Sequence, residues 1–239
     1  MLRNRHETPP YGGAVAGADG ARGGWLAVIW TRDGLHAVLL DDACAVTRLP
    51  VDRIAVDMPI GIADSGARAC DVAARRLLPA PRKASVFAPP RRYMLGLPYA
   101  EANAAGKARE GLGLSRQAWH IGRRVAELDA CLAPPDQAWI AESHPELVFH
   151  RLNGWAALPR KTTGAGRAQR LERLVAAGLP DPAPLLSRFP RRDVKPDDVL
   201  DAAACALTAR RCLTGDVARV PDADPVPRDA RGLMMGIWY

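Results

Sequence analysis

The sequence has no apolar stretch near the roughly 18 residues that a membrane-spanning helix requires. No signal-like apolar region follows Arg3, Arg5 and His6. None of the five cysteines belongs to a C-x-x-C pair, which argues against a zinc site, and their odd count and irregular spacing favour reduced thiols. Internal repeats and low-complexity linkers are also lacking. These absences predict a cytoplasmic protein without a membrane segment, with residues 1–13 as a disordered or frayed extension.

Lysine is scarce as well, although the chain is basic. It has 33 Lys and Arg against 26 Asp and Glu, a formal charge of +7, and only four of the basic residues are lysines. Arginine pairs with phosphate oxygens through its fork of N–H groups, so an Arg-rich surface attracts polyanions. An Arg-rich proteome, which also raises Ala and Pro, explains the same composition. Charge alone therefore leaves nucleic-acid binding and composition bias both open.

The order of the predicted elements indicates a mixed sheet covered by helices. Three segments rich in branched, aromatic or small residues predict strands at residues 14–19, 23–30 and 35–40. The Asp33-Gly34 pair is typical of a hairpin turn, so these strands form an antiparallel meander. Two short apolar runs that end in an acid predict buried strands at residues 53–57 and 138–142. Helices are predicted at residues 67–78, 99–110, 115–131, 168–177 and 197–211.

This order predicts one α/β domain over residues 14–239. The sheet has five strands, because a three-stranded meander is followed by two strand–helix units. A helical and loop insertion is predicted around residues 79–131.

Acidic residues stand at the ends of several predicted elements. Asp19 ends the first strand, and Asp57 and Glu142 end the two buried strands. Asp198 and Asp201 are three residues apart near the start of the last helix and share one of its faces. Carboxylates in such places lose hydration and repel one another, so they require a cation. Two Mg²⁺ or Mn²⁺ ions would meet this need and would position the attacking water and the leaving oxygen of a phosphodiester.

Most of these acids also have an ordinary structural explanation when each is taken alone. Asp19 suits a turn residue satisfied by glycine amides, and Asp57 suits a cap at a strand end. Asp197 or Asp198 suits a helix N-cap. Asp201 lies among alanines in the helix and has no such explanation. The combination, rather than any single acid, therefore indicates a metal site.

Basic residues near the predicted site are candidates for contacts with phosphate. They are Arg22, Arg82, Lys83, Arg91, Arg92 and Lys161. A solvated rim explains the loop residues equally well. His144 is a candidate for proton transfer, although a structural role such as pairing with Glu146 is the simpler interpretation. Three tryptophans are expected in the core rather than as platforms for nucleic-acid bases, namely Trp119, Trp139 and Trp155.

Several motifs together resemble one known family. The motifs are GADGARGGW (17–25), IAVDMPIG (54–61), SVF (85–87), PPR (89–91), LS (114–115) with Gln117 and Trp119, ESHPE (142–146), DDVLDA (197–202) and GIWY (236–239). Over residues 15–239 the chain resembles domain-of-unknown-function family 429, described as predicted nucleases with a ribonuclease H-like fold. The resemblance implies a ribonuclease H-like three-layer fold and a metal-dependent phosphodiester hydrolase that acts on nucleic acid.

A second resemblance concerns the last helix. Asp198-x-x-Asp201-Ala, followed by further alanines, is similar to the terminal motif of Holliday-junction resolvases of the ribonuclease H-like superfamily. It implies that Asp19, Asp57, Asp198 and Asp201 bind metal. Glu142 departs from that set, and the sequence leaves open whether it replaces or supplements Asp57.

Two other classes of function are weighed against the nuclease. Sugar kinases and actin-like ATPases share a glycine-rich opening, but the glycines of residues 20–24 form neither a Walker loop nor a G-x-G-x-x-G before a helix. Those proteins also need a duplicated domain, and the sequence shows no duplication. A binding module that has lost cleavage is the third class, against which the retention of five acids argues. No serine has a nucleophile-elbow context.

Overall fold

The centre of the fold is a mixed β-sheet of seven strands, seen in a computed structural model that describes residues 12–239. The strands are β1 (Val15–Ala21), β2 (Gly24–Thr31), β3 (Gly34–Leu40), β4 (Arg53–Asp57), β5 (Ile140–Ser143), β6 (Arg219–Val220) and β7 (Ile237–Trp238). Their order across the sheet is β3-β2-β1-β4-β5-β7-β6. Strands β1 to β3 form an antiparallel meander, β4, β5 and β7 run parallel to β1, and β6 pairs antiparallel with β7 at the edge.

Helices connect and cover these strands. They are α1 (Ala43–Thr47), α2 (Ala69–Leu77), α3 (Tyr99–Glu110), α4 (Arg116–Cys131), α5 (Pro145–Leu152), α6 (Gly164–Ala176) and α7 (Pro196–Thr214). Short 3-10 segments occur at Ala80–Ser85, Arg92–Met94, Pro134–Ala138 and Ala183–Ser187. Within residues 12–239, no helix combines the length and the apolar character needed to cross a bilayer.

Apolar side chains pack on both faces of the sheet, because successive residues of a strand point to opposite sides. On β2, Leu26 and Val28 belong to a core shared with α5, α6 and α7. Trp25 belongs to a second core shared with α1 and α4. Burying a large apolar side chain contributes roughly 1.5–3 kcal/mol, so each core holds its helices firmly against the sheet.

Helix α7 lies directly against β1 because the strand has a glycine where the two elements cross. A Cβ atom added at Gly17 would lie 2.6 Å from the carbonyl carbon of Cys205 and closer still to backbone atoms of Ala202 and Ala206. Any larger residue would therefore push the helix away from the strand. Gly17 sets how closely α7, and Asp201 with it, approaches β1.

The prediction of five strands is wrong, because β6 and β7 extend the sheet beyond β5. Each comprises two residues, too few to show alternation or an apolar run in the sequence. Helix α6 also begins earlier than the predicted residue 168. The hydroxyl of Thr163 accepts a hydrogen bond from the N–H of Gly166 at 3.1 Å, and this cap starts the helix at Gly164.

The expectation of five reduced thiols is wrong for one pair. Cys44 in α1 and Cys131 at the end of α4 form a disulfide, with their Cα atoms 5.2 Å apart. Pairing of cysteines 87 residues apart leaves no signal in a single sequence. Cys70 and Cys205 are buried free thiols, and Cys212 is half-buried.

The expectation that Trp155 lies in the core is also wrong. Its side chain is exposed, and its φ of 64° places the backbone in the left-handed region after α5. Trp119 and Trp139 do pack against buried clusters. The predicted insertion at residues 79–131 consists of two 3-10 segments, α3 and α4. Of the predicted extension at residues 1–13, residues 1–11 lie outside the described part of the chain.

Candidate functional site

A cavity of about 440 Å³ opens where the parallel strands β1, β4 and β5 reach their carboxyl ends. Acidic, basic and apolar side chains line it together. The carboxylates in its wall are those of Asp19, Asp57, Asp71, Glu142, Glu146 and Asp201, and the cations are those of Arg68, Arg82, Arg124 and Lys161. Side chains of the two predicted strand ends and of the last helix therefore meet in one cavity.

Three of the predicted acids form a compact cluster in this cavity. Asp19 and Asp57 are register partners on the neighbouring strands β1 and β4. Asp201 reaches them from α7, and one carboxylate oxygen of each of the three lies within 4.8 Å of the others. We name these residues the acidic cluster.

The environment of the acidic cluster disfavours three separate negative charges. Burial, together with the charge of Asp201, raises the pKa of Asp57 from 3.8 to about 8. Burial and the neighbouring acids raise the pKa of Asp19 well above its ordinary value, and burial also raises that of Asp201. Lys161 opposes these shifts, because its ammonium donates a hydrogen bond to the Oδ2 atom of Asp201.

The donor set of the acidic cluster fits a hard divalent cation. All three groups offer carboxylate oxygens, which are the ligands that Mg²⁺ and Mn²⁺ prefer. If the three acids are ionised, Lys161 neutralises one charge and leaves two. A divalent cation supplies the charge that would balance them and permits the acids to stay ionised near neutral pH.

Asp198 lies outside the acidic cluster, although it shares a helix with Asp201. Its Oδ2 atom accepts a hydrogen bond from the backbone N–H of Lys195 at 2.8 Å, so the side chain caps the start of α7. Its charge is near enough to contribute to the raised pKa of Asp19. The position on α7 that reaches the cluster is that of Asp201, one turn further along the helix.

Glu142 also stands apart from the acidic cluster, in an ion network behind the loop that follows β4. Arg68 donates to both of its oxygens, at 2.8 and 2.7 Å, and the N–H of Ile60 donates to Oε2 at 2.8 Å. Arg68 also binds Asp71 through two N–H groups, at 3.0 and 2.6 Å. Both side chains of the Arg68–Glu142 pair are almost fully buried. The network therefore holds the backbone that leads away from Asp57.

Arg68 and Asp71 are two members of this network that the sequence motifs do not point to. Their spacing of three residues at the start of α2 is the signal that a helical i, i+3 ion pair leaves in a sequence. Nothing in that spacing indicates that Glu142, which is 74 residues away from Arg68, completes the network.

Four of the predicted phosphate contacts lie outside the cavity lining. Arg22 is exposed in the turn between β1 and β2, and Lys83 is exposed in the segment Ala80–Ser85. Arg91 pairs with a carboxylate of α3, with Nε and the acid oxygen 3.2 Å apart. Arg92 pairs with one acid of α4 at 2.9 Å and with another near the C-terminus at 2.7 Å. Arg91 and Arg92 therefore pair with acids of the protein outside the cavity.

Helix α4 brings to the cavity residues that the sequence analysis did not single out as site residues. Gln117, His120 and Arg124 line it from one helical face. The guanidinium carbon of Arg124 lies 5.3 Å from the centre of the Trp25 ring, and its Nη2 donates to the carbonyl of Ala21. The spacing of three and four residues is the available signal, because such positions share one side of a helix.

His144 has a defined orientation in the cavity wall. Its Nε2 atom lies 3.3 Å from the carbonyl oxygen of Ser85, so this nitrogen is the donor and Nδ1 carries the lone pair. Nδ1 has no hydrogen-bond partner among residues 12–239. Burial lowers the pKa of His144 and favours the neutral ring. Glu146 instead pairs with Arg170 at 2.7 Å and lies 3.9 Å from Arg82.

One comparison with known proteins identifies a family. The family model described as "Protein of unknown function (DUF429)" matches residues 17–226. The chain belongs to this family, and the resemblance seen in the sequence motifs is confirmed. No curated protein and no solved structure matches the chain.

Proposed function

Given this family membership, we propose that the chain is a metal-dependent phosphodiester hydrolase with a ribonuclease H-like fold that acts on nucleic acid. The observation that carries the proposal is the acidic cluster, whose three carboxylates approach within 4.8 Å in a cavity of about 440 Å³. Carboxylates in contact destabilise a fold unless a cation or a proton joins them. Their placement on three separate elements suits ligands that must approach one ion from different directions.

The topology supports the ribonuclease H-like part of the proposal. The meander β1 to β3 is followed by the parallel strands β4 and β5, as the resemblance implies, and helices cover both faces. Strands β6 and β7 are an addition at the far edge of the sheet.

Asp19, Asp57 and Asp201 would hold Mg²⁺ or Mn²⁺. A bound ion there would polarise a phosphoryl oxygen and lower the pKa of a coordinated water. Two arginines in the cavity wall complement this role. Arg82 has one Nη2 hydrogen bond, to the carbonyl of Leu158 at 2.8 Å, and Arg124 likewise keeps N–H groups available for phosphate oxygens.

His144 would act on protons rather than on phosphate. Because Ser85 fixes its Nε2 as the donor, Nδ1 carries the lone pair, but this atom is buried and has no partner among residues 12–239. A water or a substrate hydroxyl that enters beside Nδ1 would be oriented by the neutral imidazole. The buried pair Arg68–Glu142 would act through the backbone next to Asp57 and is a positioning element.

A kinase-like ATPase is the weaker alternative. Proteins of that class close two domains over a nucleotide, whereas the strands described between residues 12 and 239 all belong to one sheet. In a non-catalytic binding module, the repulsion within the acidic cluster would lower stability and would serve no reaction.

A cleavage assay tests the proposal. The protein is incubated with Mn²⁺ or Mg²⁺ and labelled single-stranded DNA, duplex DNA, RNA, an RNA–DNA hybrid or a four-way DNA junction, and the products are resolved on denaturing gels. We expect cleavage of at least one substrate that chelator abolishes. Asp57→Asn should lower its rate by orders of magnitude, because it removes one ligand charge. Asp33→Asn is the matched control, since Asp33 is exposed in the turn between β2 and β3.

Two outcomes would contradict the proposal. The first is a protein that binds Mn²⁺ and cleaves none of these substrates. The second is cleavage that persists equally in Asp57→Asn, which would indicate a contaminating nuclease or a different site.

A further inference from the structure

Lys161 lies beside the acidic cluster and contacts one of its members. Its ammonium contacts the Oδ2 atom of Asp201, whose side chain is only 3% exposed. The charge of the ammonium also acts on Asp19 and Asp57. Lys161 is thus a cation paired with one of the predicted ligands, while 39% of its own side chain is exposed.

The loop that carries Lys161 is anchored on the side of its preceding residues. The carbonyl of Leu158 accepts a hydrogen bond from Arg82, and the carbonyl of Pro159 accepts one from Arg170, each at 2.8 Å. Arg170 is fully buried. These two arginines hold the backbone immediately before Lys161.

The loop is also anchored where it enters α6. A Cβ atom added at Gly166 would lie 2.7 Å from the carbonyl carbon of Arg160 and closer still to its oxygen. The same carbonyl accepts hydrogen bonds from Thr163, through its N–H at 3.0 Å and its hydroxyl at 2.8 Å. The backbone on both sides of Lys161 is therefore fixed, and so is the point from which its side chain reaches Asp201.

The charge of Lys161 bears directly on metal stoichiometry. With one ammonium and three ionised carboxylates, a single divalent ion makes the group neutral. A second divalent ion would have to displace the ammonium from Asp201 or lie within a few ångström of it, with a net repulsion. A metal ion ~2 Å from the Oδ2 atom of Asp201 would lie within a few ångström of the Lys161 ammonium, so the two cations would repel each other.

We infer that Lys161 takes the place of a second metal ion, so that the chain binds one divalent ion. This inference rests on the proposed function and replaces the two-ion arrangement expected from the sequence. The ammonium balances the negative charge of Asp201 and offers its remaining N–H groups to the phosphate of the substrate. A second metal ion would provide its positive charge at the same place. Asp19, Asp57 and the other oxygen of Asp201 are left to hold the metal.

Isothermal titration calorimetry with Mn²⁺ and the full chain tests the inference. We expect one ion per chain for the parent. Lys161→Met keeps the apolar stem and removes the charge, so its affinity for Mn²⁺ should rise by at least about tenfold. A second Mn²⁺ site should also become available. Lys161→Arg keeps the charge and should retain one ion. Lys107→Met is the matched control, because Lys107 is exposed on α3 and its loss should leave binding unchanged.

The outcomes separate this inference from the proposed function. Two Mn²⁺ ions per parent chain, or equal Mn²⁺ affinity in Lys161→Met and Lys107→Met, would overturn the role of Lys161 and leave the hydrolase standing. No Mn²⁺ heat in the parent and in Lys161→Met would overturn both. The parent stoichiometry requires no variant, so it decides the question even if Lys161→Met does not fold.

Discussion

Gly17→Ala tests the contact that brings Asp201 to the acidic cluster. Gly17 and Asp19 are two residues apart on β1 and point to the same face of the sheet, the face that α7 covers. The added Cβ would lie 2.6 Å from the carbonyl carbon of Cys205 and closer to the backbone of Ala202. Backbone atoms cannot turn away as a flexible side chain does, so the helix itself must move.

The size of that movement gives the expected loss of stability. Restoring a carbon–carbon distance of ~3.5 Å requires α7 to shift by roughly 1 Å or more. Overpacking of this kind costs about 1–3 kcal/mol of unfolding free energy, and contact with backbone on the helix side favours the upper end. For a domain of this size, about 3 kcal/mol corresponds to a fall of roughly 6–12 °C in Tm. The same shift would carry Asp201 away from an ion bound at ~2 Å.

Thermal melts with and without millimolar Mn²⁺ measure both effects. Gly17→Ala should melt lower than the parent and should lose the Mn²⁺-dependent rise in Tm. Gly164→Ala is the control, because no atom lies within 4 Å of its added Cβ and the residue lies in the first turn of α6. A Gly17→Ala protein that melts within about 1 °C of the parent and keeps its Mn²⁺ response would refute this account of the α7 contact.

Three further predictions concern the charged groups of the site. In the absence of metal, the folded state holds the proton of Asp57 more tightly than the unfolded chain does, because its pKa is raised from 3.8 to about 8. The free energy of unfolding should therefore decline as pH rises from about 4 to 8. The decline should be smaller in Asp57→Asn. A flat profile of Tm against pH, measured in chelator, would contradict this prediction. Arg68→Met leaves the carboxylates of Glu142 and Asp71 buried without their cation. Urea unfolding should therefore show a decrease of about 3–5 kcal/mol in the free energy of unfolding. A decrease below about 1 kcal/mol would be inconsistent with the network. Glu142→Gln should keep the parent Mn²⁺ stoichiometry in calorimetry, whereas loss of the Mn²⁺ heat in a folded variant would place Glu142 among the ligands.

The acidic cluster was predictable because its members follow from local patterns. Asp57 ends β4 and Asp19 lies two residues before the end of β1, and the carboxyl ends of neighbouring parallel strands meet at one edge of a sheet. Asp201 stands on an alanine-rich face where no local partner explains it. Asp198 lies at the start of the same helix, where a cap and a metal ligand produce the same pattern in a sequence.

The partners of Glu142 and Lys161 were not predictable. Arg68 reaches Glu142 across 74 residues and Lys161 reaches Asp201 across 40, so both contacts exist only after the chain has folded. The strands β6 and β7 were missed for a related reason, since two residues acquire strand structure only through their neighbours. Local pattern thus indicated the three acids that meet but did not separate them from Asp198 and Glu142, and tertiary contacts decided what compensates their charge.

In the proposed function, the carboxylate of Asp201 serves hydrolysis rather than stability or substrate binding. The most direct test compares nucleic-acid binding and metal-dependent cleavage by the parent, Asp201→Asn and the control Asp197→Asn, whose side chain lies on the same helix outside the acidic cluster. Asp201→Asn keeps the shape of the side chain and removes a charge that repels phosphate, so we expect binding at least as tight as in the parent and cleavage slower by orders of magnitude. Cleavage by Asp201→Asn at the parent rate would contradict the claim.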